Sequence, residues 1–186
     1  MWHLRPVAGL VPVAMLLAAC QAASPVQSPA ERGKYLVTAI GGCNDCHTPM
    51  KTGSADFAPD MSRMLSGHPA GVALPPPPAL PPGPWLTVDA LPGTAYAGPW
   101  GVSYAANLTP DDETGIGAWD ENVFIRTLRT GKHLGAGRDL LPPMPWQTFG
   151  QMTDDDLKAI FAYLKSIPPI KNKVPDPIAP AALPAV

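Results

Sequence analysis

The chain has 186 residues, enough for one domain, and a formal net charge of −2 from 13 basic and 15 acidic side chains. The basic residues form neither a run nor a stripe interleaved with aromatics, so the sequence gives no indication of nucleic-acid binding. Proline is abundant, with 26 residues, whereas cysteine is scarce, with three.

The first twenty residues have the pattern of a bacterial export signal. Residues 7–19 form an uncharged, mostly apolar run that is too short to span a bilayer comfortably. The run leads into Leu-Ala-Ala-Cys, which resembles a lipobox, so we predict a lipoprotein signal peptide over 1–19 and lipidation at Cys20. An ordinary signal peptide that happens to precede a cysteine is the alternative. Lipidation would anchor the exported chain on the periplasmic side of a membrane through a tether, residues 20–28.

Cys43, Cys46 and His47 form the pattern C-x-x-C-H, which is typical of c-type haem attachment. Two thiols at this spacing can add to the two porphyrin vinyl groups, and the adjacent imidazole can bind the iron as proximal ligand. The alternatives are a C-x-x-C redox pair and half of a zinc site. The chain contains no second cysteine pair to complete a zinc site. Because the motif occurs once, we predict one covalent haem c.

Capping residues and hydrophobic periodicity predict four helices. The first opens at Ser28 with a capping box and a proline at the first helical position, and it ends at a Gly-Gly pair. A short second helix is predicted to begin at Thr109, and a third covers residues 120–130. The fourth, which starts at Thr153, has apolar residues at helical spacing. No segment shows convincing strand alternation.

Two proline-rich segments interrupt this helical pattern. The insert over residues 74–84 (LPPPPALPPGP) cannot form a helix or a central strand, so we expect an extended surface loop. The tail over residues 171–186 is also proline-rich and is expected to wrap the surface or fray. The helices and the haem motif would then form one domain over residues 29–170.

Several stretches around the haem motif carry a family resemblance. They are residues 33–36 (GKYL), 107–111 (NLTPD), 114–119 (TGIGAW), 142–146 (PPMPW) and 152–164. Together with the haem motif, they resemble a class I cytochrome c, and more narrowly the monohaem cytochrome c subunits and domains associated with bacterial periplasmic dehydrogenases.

The resemblance implies an all-α cytochrome c fold, with about four helices around one covalently bound haem and proline-rich surface loops. It also implies that the first and last helices cross. Gly33 would permit their close approach, and Tyr163 or Phe161 would be the aromatic residue packed against it.

A haem used for electron transfer requires a second axial ligand, and Met144 is the best candidate. Its flanking prolines hold the backbone extended, and its position after His47 is consistent with the class I order. The weaker candidates are Met50, Met61, Met64, Met152, His68 and His133. Candidate hydrogen-bond donors to the haem propionates are Trp100, Tyr104, Asn107 and Arg138.

The sequence therefore predicts a membrane-anchored monohaem cytochrome that carries single electrons between periplasmic redox proteins, and not an enzyme. Its donor would be a periplasmic dehydrogenase or a quinol-oxidising complex, and its acceptor another redox protein or a terminal oxidase. One alternative is an electron-transfer subunit of a dehydrogenase complex. Another is a haem enzyme or gas sensor with an open sixth site, which requires that Met144 does not bind iron.

Overall fold

The computed structural model describes residues 27–51, 53, 57–78 and 87–180. The predicted signal peptide, Cys20 and most of the tether lie outside the described residues. Within them the chain forms five α-helices and three short strands. The helices are α1 (Pro29–Tyr35), α2 (Cys43–His47), α3 (Glu121–Thr130), α4 (Trp146–Phe149) and α5 (Asp154–Ser166), and the strands are β1 (Val88–Ala90), β2 (Ala95–Gly98) and β3 (Gly101–Tyr104).

The prediction of an all-α fold is wrong, because the three strands form an antiparallel sheet in the order β1-β2-β3. Val88 pairs with Ala97, and Ala95 pairs with Tyr104. The strands have only three or four residues each and are rich in glycine and alanine. Such strands are too short to show alternation in the sequence, and their pairing comes from the turns between them and from packing on the rest of the domain.

Helix α1 begins as its capping residues predict. The Ser28 backbone N–H donates to Glu31 Oε2 at 2.8 Å, and the Glu31 N–H donates to Ser28 Oγ at 3.3 Å. The helix continues through a wider π-helical turn, Leu36–Ile40. Leu36 and Val37 in that turn are buried, so this end of the helix faces the core.

Helices α1 and α5 cross and pack against each other, as the resemblance implies. A Cβ placed on Gly33 would lie 1.8 Å from the carbonyl oxygen of Ala159 and 2.8 Å from Cβ of Tyr163. Only glycine leaves room for this contact. Helix α5 buries its predicted apolar face in the same core, which includes Leu157, Ile160, Phe161 and Leu164.

We expect Gly33→Ala to lower the free energy of unfolding by about 3 kcal/mol, because the added methyl group forces the two helices apart. In a domain of this size that loss corresponds to a fall in Tm of about 10 °C. Thermal unfolding followed by circular dichroism measures the change. Gly71→Ala is the matched control, because among the described residues no atom beyond its two chain neighbours lies within 4 Å of its added Cβ. Equal Tm values for the two variants would show that the crossing tolerates a side chain.

The predicted helix at Thr109 is also wrong, since residues 107–117 form a series of turns. Asn107 Oδ1 accepts hydrogen bonds from the Thr109 N–H at 3.0 Å and from Thr109 Oγ1 at 2.7 Å. Asp111 Oδ1 accepts in the same way from the N–H and the hydroxyl of Thr114. These side chains satisfy the backbone donors that a helix would use, and so they compete with it.

Helix α3 ends where the sequence predicts. Asp120 caps its first turn by accepting a hydrogen bond from the Val123 N–H at 2.7 Å. Gly131 ends it in the left-handed region at φ 67°. The ring of Trp146 lies against Gly131, where a Cβ would come within 2.4 Å of the indole. The end of α3 is thereby fixed against the start of α4.

The proline-rich tail is described as far as Pro180, and this part packs on the domain. Asn172 is buried, and Ile178 pairs with Val102 in an antiparallel bridge. No helix among the described residues is long and apolar enough to cross a membrane.

Candidate haem-binding site

The haem motif forms α2 directly after a sharp turn. Gly42 adopts the left-handed conformation, at φ 57° and ψ 29°, which glycine tolerates without strain. A Cβ on Gly41 would lie 3.3 Å from the Phe149 ring and 3.4 Å from Cys43 Sγ. The Gly-Gly pair therefore turns the chain out of α1 and leaves space beside the first thiol.

The two predicted attachment residues lie on one turn of α2, and both are half-buried. Cys43 packs against the hydrophobic core, whereas Cys46 lines the cavity that also contains His47. Burial raises the pKa of the Cys43 thiol to about 11, so this thiol stays protonated at neutral pH. Both sulfurs therefore lie on one short helix, which would allow them to attach along one edge of a porphyrin. Their attachment to haem stays a prediction.

His47 is buried and held by one hydrogen bond. Its Nδ1 lies 2.8 Å from the Ala106 carbonyl oxygen, and because a carbonyl only accepts, Nδ1 carries the proton. The other ring nitrogen, Nε2, then keeps its lone pair for a metal, a second-shell arrangement typical of metal-binding histidines. Burial lowers the pKa of His47, which keeps the ring neutral, as iron ligation requires.

A cavity of about 490 Å³, here called the His47 cavity, brings together residues from both halves of the chain. Its volume falls within the range of about 300–1,000 Å³ that is typical of ligand pockets. Apolar side chains supply much of its wall, and they include Leu108, Ile116, Trp119, Phe124 and Leu128. These walls suit the two faces of a porphyrin.

Met144, the predicted distal ligand, also lines the His47 cavity. Its segment is fixed on both sides. Ser103 Oγ in β3 donates to the Pro142 carbonyl oxygen at 2.6 Å, and the Trp146 N–H donates to the Met144 carbonyl oxygen at 2.9 Å. The structure therefore places Met144 and His47 on one cavity, and iron ligation by the two residues stays a prediction.

Sequence reasoning misses Ser103, because the sequence does not predict the strand that carries it. Ser103 is buried, and its hydroxyl connects the sheet to the backbone two residues before Met144. A serine in a glycine- and alanine-rich stretch gives no signal of this role, which becomes visible only once β3 and the Met144 segment are placed side by side.

The structure separates the weaker ligand candidates into two groups. His133 lines the His47 cavity and packs edge-on against Trp119, with ring centroids 5.5 Å apart. The others lie away from the cavity lining, and they are Met50, Met61, Met64, Met152 and His68. His68 is fully buried, with both ring nitrogens within hydrogen-bond distance of protein oxygens. His133 is thus the one rival to Met144 among these candidates.

The cavity also contains groups suited to the haem propionates. Arg138, Tyr104 and Lys173 line it, and among the described residues neither Arg138 nor Lys173 forms an ion pair. Asn107 lines the cavity too, but its amide is occupied by Thr109 and by the Ile170 carbonyl oxygen, 2.8 Å away. Trp100 is absent from the lining. Apolar walls, two candidate axial ligands and these two cations together fit a haem.

Relatives of the chain were found among characterised bacterial proteins, whereas no protein-family model matches it. It is 41% identical over 83 residues to a nicotinate dehydrogenase subunit of Pseudomonas putida, a match that covers 45% of this chain and 7% of the relative. It is 34% identical over 141 residues to the cytochrome c subunit of alcohol dehydrogenase (quinone) of Gluconacetobacter polyoxogenes, covering 75% of the chain and 24% of the relative. A diheme cytochrome c-type protein of Cereibacter sphaeroides is 28% identical over 141 residues, covering 76% of the chain and 36% of the relative.

The match covers at most 36% of the length of any of these three relatives. The names of two of these relatives identify them as c-type cytochromes, the class for which the haem motif is typical. The relatives named as cytochrome c subunits agree with the predicted electron carrier. The chain is therefore a relative of the cytochrome c subunits of bacterial dehydrogenases, as its motifs predict.

Proposed function

We propose that this chain is a monohaem c-type cytochrome that works as the electron-transfer subunit, or the dedicated electron acceptor, of a bacterial dehydrogenase. The observation that carries the proposal is the His47 cavity, in which the α2 imidazole and the Met144 segment share one apolar space beside Cys46. Thioether bonds at Cys43 and Cys46 would hold the haem there. His47 and Met144 would bind its iron.

The residues around the cavity suit electron transfer. When bound, the haem supplies a one-electron iron couple. His47 is fixed by Ala106, and the Met144 segment is fixed by Ser103, so both candidate ligands are positioned before any change of charge. A methionine ligand and an apolar wall both favour the reduced state and raise the potential.

We propose one haem for this chain, although one of its relatives is named a diheme protein. The reason is the sequence itself, which contains C-x-x-C-H only once and has a single cysteine outside it, Cys20. A second covalent site of the same type would require two thiols outside the motif, and the sequence has one.

The proposed donor is a dehydrogenase, because two relatives are dehydrogenase subunits by name. The acceptor would be another redox protein or a terminal oxidase. We further propose that the chain is exported and anchored on the periplasmic side of a membrane by lipid at Cys20. The Leu-Ala-Ala-Cys pattern supports this location, as does the fact that c-type haem attachment takes place outside the cytoplasm.

Cell fractionation of a tagged chain tests the proposed lipid anchor, and affinity capture of the same chain tests the proposed dehydrogenase donor. The tagged wild-type chain is expected in the membrane fraction. After mild solubilisation it should copurify with a dehydrogenase, and addition of the substrate of that dehydrogenase should reduce the haem. Cys20→Ser should move most of the chain to the soluble periplasmic fraction, because a diacylglycerol anchor can no longer form. The readouts are haem staining of each fraction and the visible spectrum of the captured complex before and after substrate addition.

Ser24→Ala is the matched control in the tether, and it should leave the chain in the membrane. A Cys20→Ser variant that stays in the membrane would contradict the lipid anchor. A captured cytochrome that no copurifying dehydrogenase can reduce would contradict the proposed donor and leave the quinol-oxidising complex as the alternative.

A further inference from the structure

Residues 173–177, here called the strap, form one wall of the His47 cavity. All five residues, Lys-Val-Pro-Asp-Pro, line it together with His47 and Met144. They lie in the proline-rich segment that the sequence predicts to wrap the surface or fray. The strap therefore shares the cavity lining with both candidate axial ligands.

The strap is held at its start by Asn172, which is buried and uses both ends of its amide. Its Nδ2 donates to the carbonyl oxygens of Ser66 at 2.7 Å and His68 at 2.9 Å. Its Oδ1 accepts from the Ala70 N–H at 2.9 Å and from Arg63 Nη2 at 3.3 Å. One side chain thus ties the strap to the 63–70 loop through four contacts.

The residues just before Asn172 reinforce this attachment. The Ile170 N–H donates to Thr109 Oγ1 at 3.0 Å, and Asn107 Nδ2 donates to the Ile170 carbonyl oxygen at 2.8 Å. The Asn172 N–H donates to Thr114 Oγ1 at 3.0 Å. The Asn-x-Thr turn, which forms in place of the predicted helix at Thr109, therefore binds the residues just before the strap through hydrogen bonds.

The strap is held at its other end by β3. The Val102 N–H donates to the Ile178 carbonyl oxygen at 2.8 Å, and the Ile178 N–H donates to the Val102 carbonyl oxygen at 2.9 Å. A Cβ on Gly101 would lie 1.9 Å from that Ile178 oxygen, so glycine is required for the close approach.

Between these two attachments the strap has no backbone hydrogen bond to any of the described residues. Pro175 and Pro177 have no N–H to donate and restrict the backbone to an extended course. The backbone hydrogen bonds nearest the strap among the described residues therefore lie at its two ends.

We propose that the strap closes one side of the haem cavity and that Asn172 is the positioning residue that keeps it closed. The proposal rests on the proposed function, because it assigns the cavity to a haem. A closed strap excludes water and small molecules from the iron, and a drier haem environment favours the less charged ferrous state. Asn172 would therefore set ligand access and reduction potential without touching the haem.

Asn172→Ala tests this in the full-length haem protein, with Asn122→Ala on the exposed face of α3 as the matched control. Loss of these buried hydrogen bonds should shift the opening equilibrium, and hence the rate at which imidazole binds the oxidised haem, by about tenfold or more. The reduction potential should fall in the same variant. Asn122→Ala should match the parent in both measurements.

A second variant, Ile178→Pro, removes the N–H that bonds to Val102 and releases the other end of the strap without altering Asn172. It should also speed imidazole binding and lower the potential, and it carries the test alone if Asn172→Ala does not fold. Parent-like binding rates and potentials in the folded variants, with only Tm reduced, would overturn the proposal and leave Asn172 a purely structural residue. A parent protein without covalent haem would instead overturn the proposed function, so the two failures are distinguishable.

Discussion

The double variant Cys43→Ser, Cys46→Ser should carry no covalent haem and should lose most of its folded structure. Serine hydroxyls do not form the thioether bonds that hold the cofactor. Without haem, the cavity of about 490 Å³ is left unfilled. At about 24 cal/mol per Å³, the free energy of unfolding would fall by at most about 12 kcal/mol. This figure is an upper bound because water can enter the cavity. That bound is comparable with the whole stability of an ordinary domain.

Haem-stained denaturing gels and far-ultraviolet circular dichroism check this result. The single variant Cys43→Ser is the matched control, because it keeps one thiol, and it should retain covalent haem through Cys46. Haem that acid acetone extracts from the parent would contradict thioether attachment. A fully helical double variant without haem would show that the apolar core alone folds the domain.

Met144→Ala should keep the covalent haem but open its sixth coordination site. The thioether favours ferrous iron, so the reduction potential should fall by on the order of 0.1 V, within the range of about 0.8 V that axial ligands control. The weak charge-transfer band of methionine–iron ligation, at the red end of the visible spectrum, should disappear, and carbon monoxide should bind readily to the reduced form. Redox titration and visible spectroscopy measure these changes.

His133→Ala is the informative comparison, because His133 lines the same cavity. It should retain the parent spectrum and a closed sixth site. If Met144→Ala keeps the parent spectrum and potential while His133→Ala loses them, the distal ligand is His133. If the parent itself binds carbon monoxide readily and shows no methionine band, the sixth site is open and a haem enzyme or gas sensor becomes the better interpretation.

The features that local chemistry dictates could be predicted from the sequence. The capping box at Ser28 and the glycine stop at Gly131 are confirmed because each depends on residues within one turn of the helix. The close helix contact at Gly33 is predicted from family resemblance. It is confirmed because the structure leaves no room for a Cβ between Gly33 and the backbone of Ala159. The haem motif is local in the same sense, since one short helix carries all three of its chemically active side chains.

The features that depend on distant partners could not be predicted. Strands of three or four residues carry no detectable alternation, so the sequence does not reveal the sheet or the contact between Ser103 and the Met144 segment. The turn at Thr109 resembles a helix start, because the same residue types cap helices and form such turns. In the sequence, Asn172 is an ordinary polar residue in a proline-rich tail. Its role depends on hydrogen bonds to residues 63–70, which lie about a hundred positions earlier in the chain.

The crossing of α1 and α5 has a consequence for the order of folding. These helices lie near opposite ends of the described chain, so their contact closes a loop of more than a hundred residues. Closing such a loop is entropically costly and makes folding slow, and α1 cannot dock before α5 has been synthesised. Helix α2 lies close to α1 in the chain, so we expect its two thiols to stay accessible until α5 docks. We therefore expect the proposed haem attachment at Cys43 and Cys46 to take place in this interval, before the domain closes.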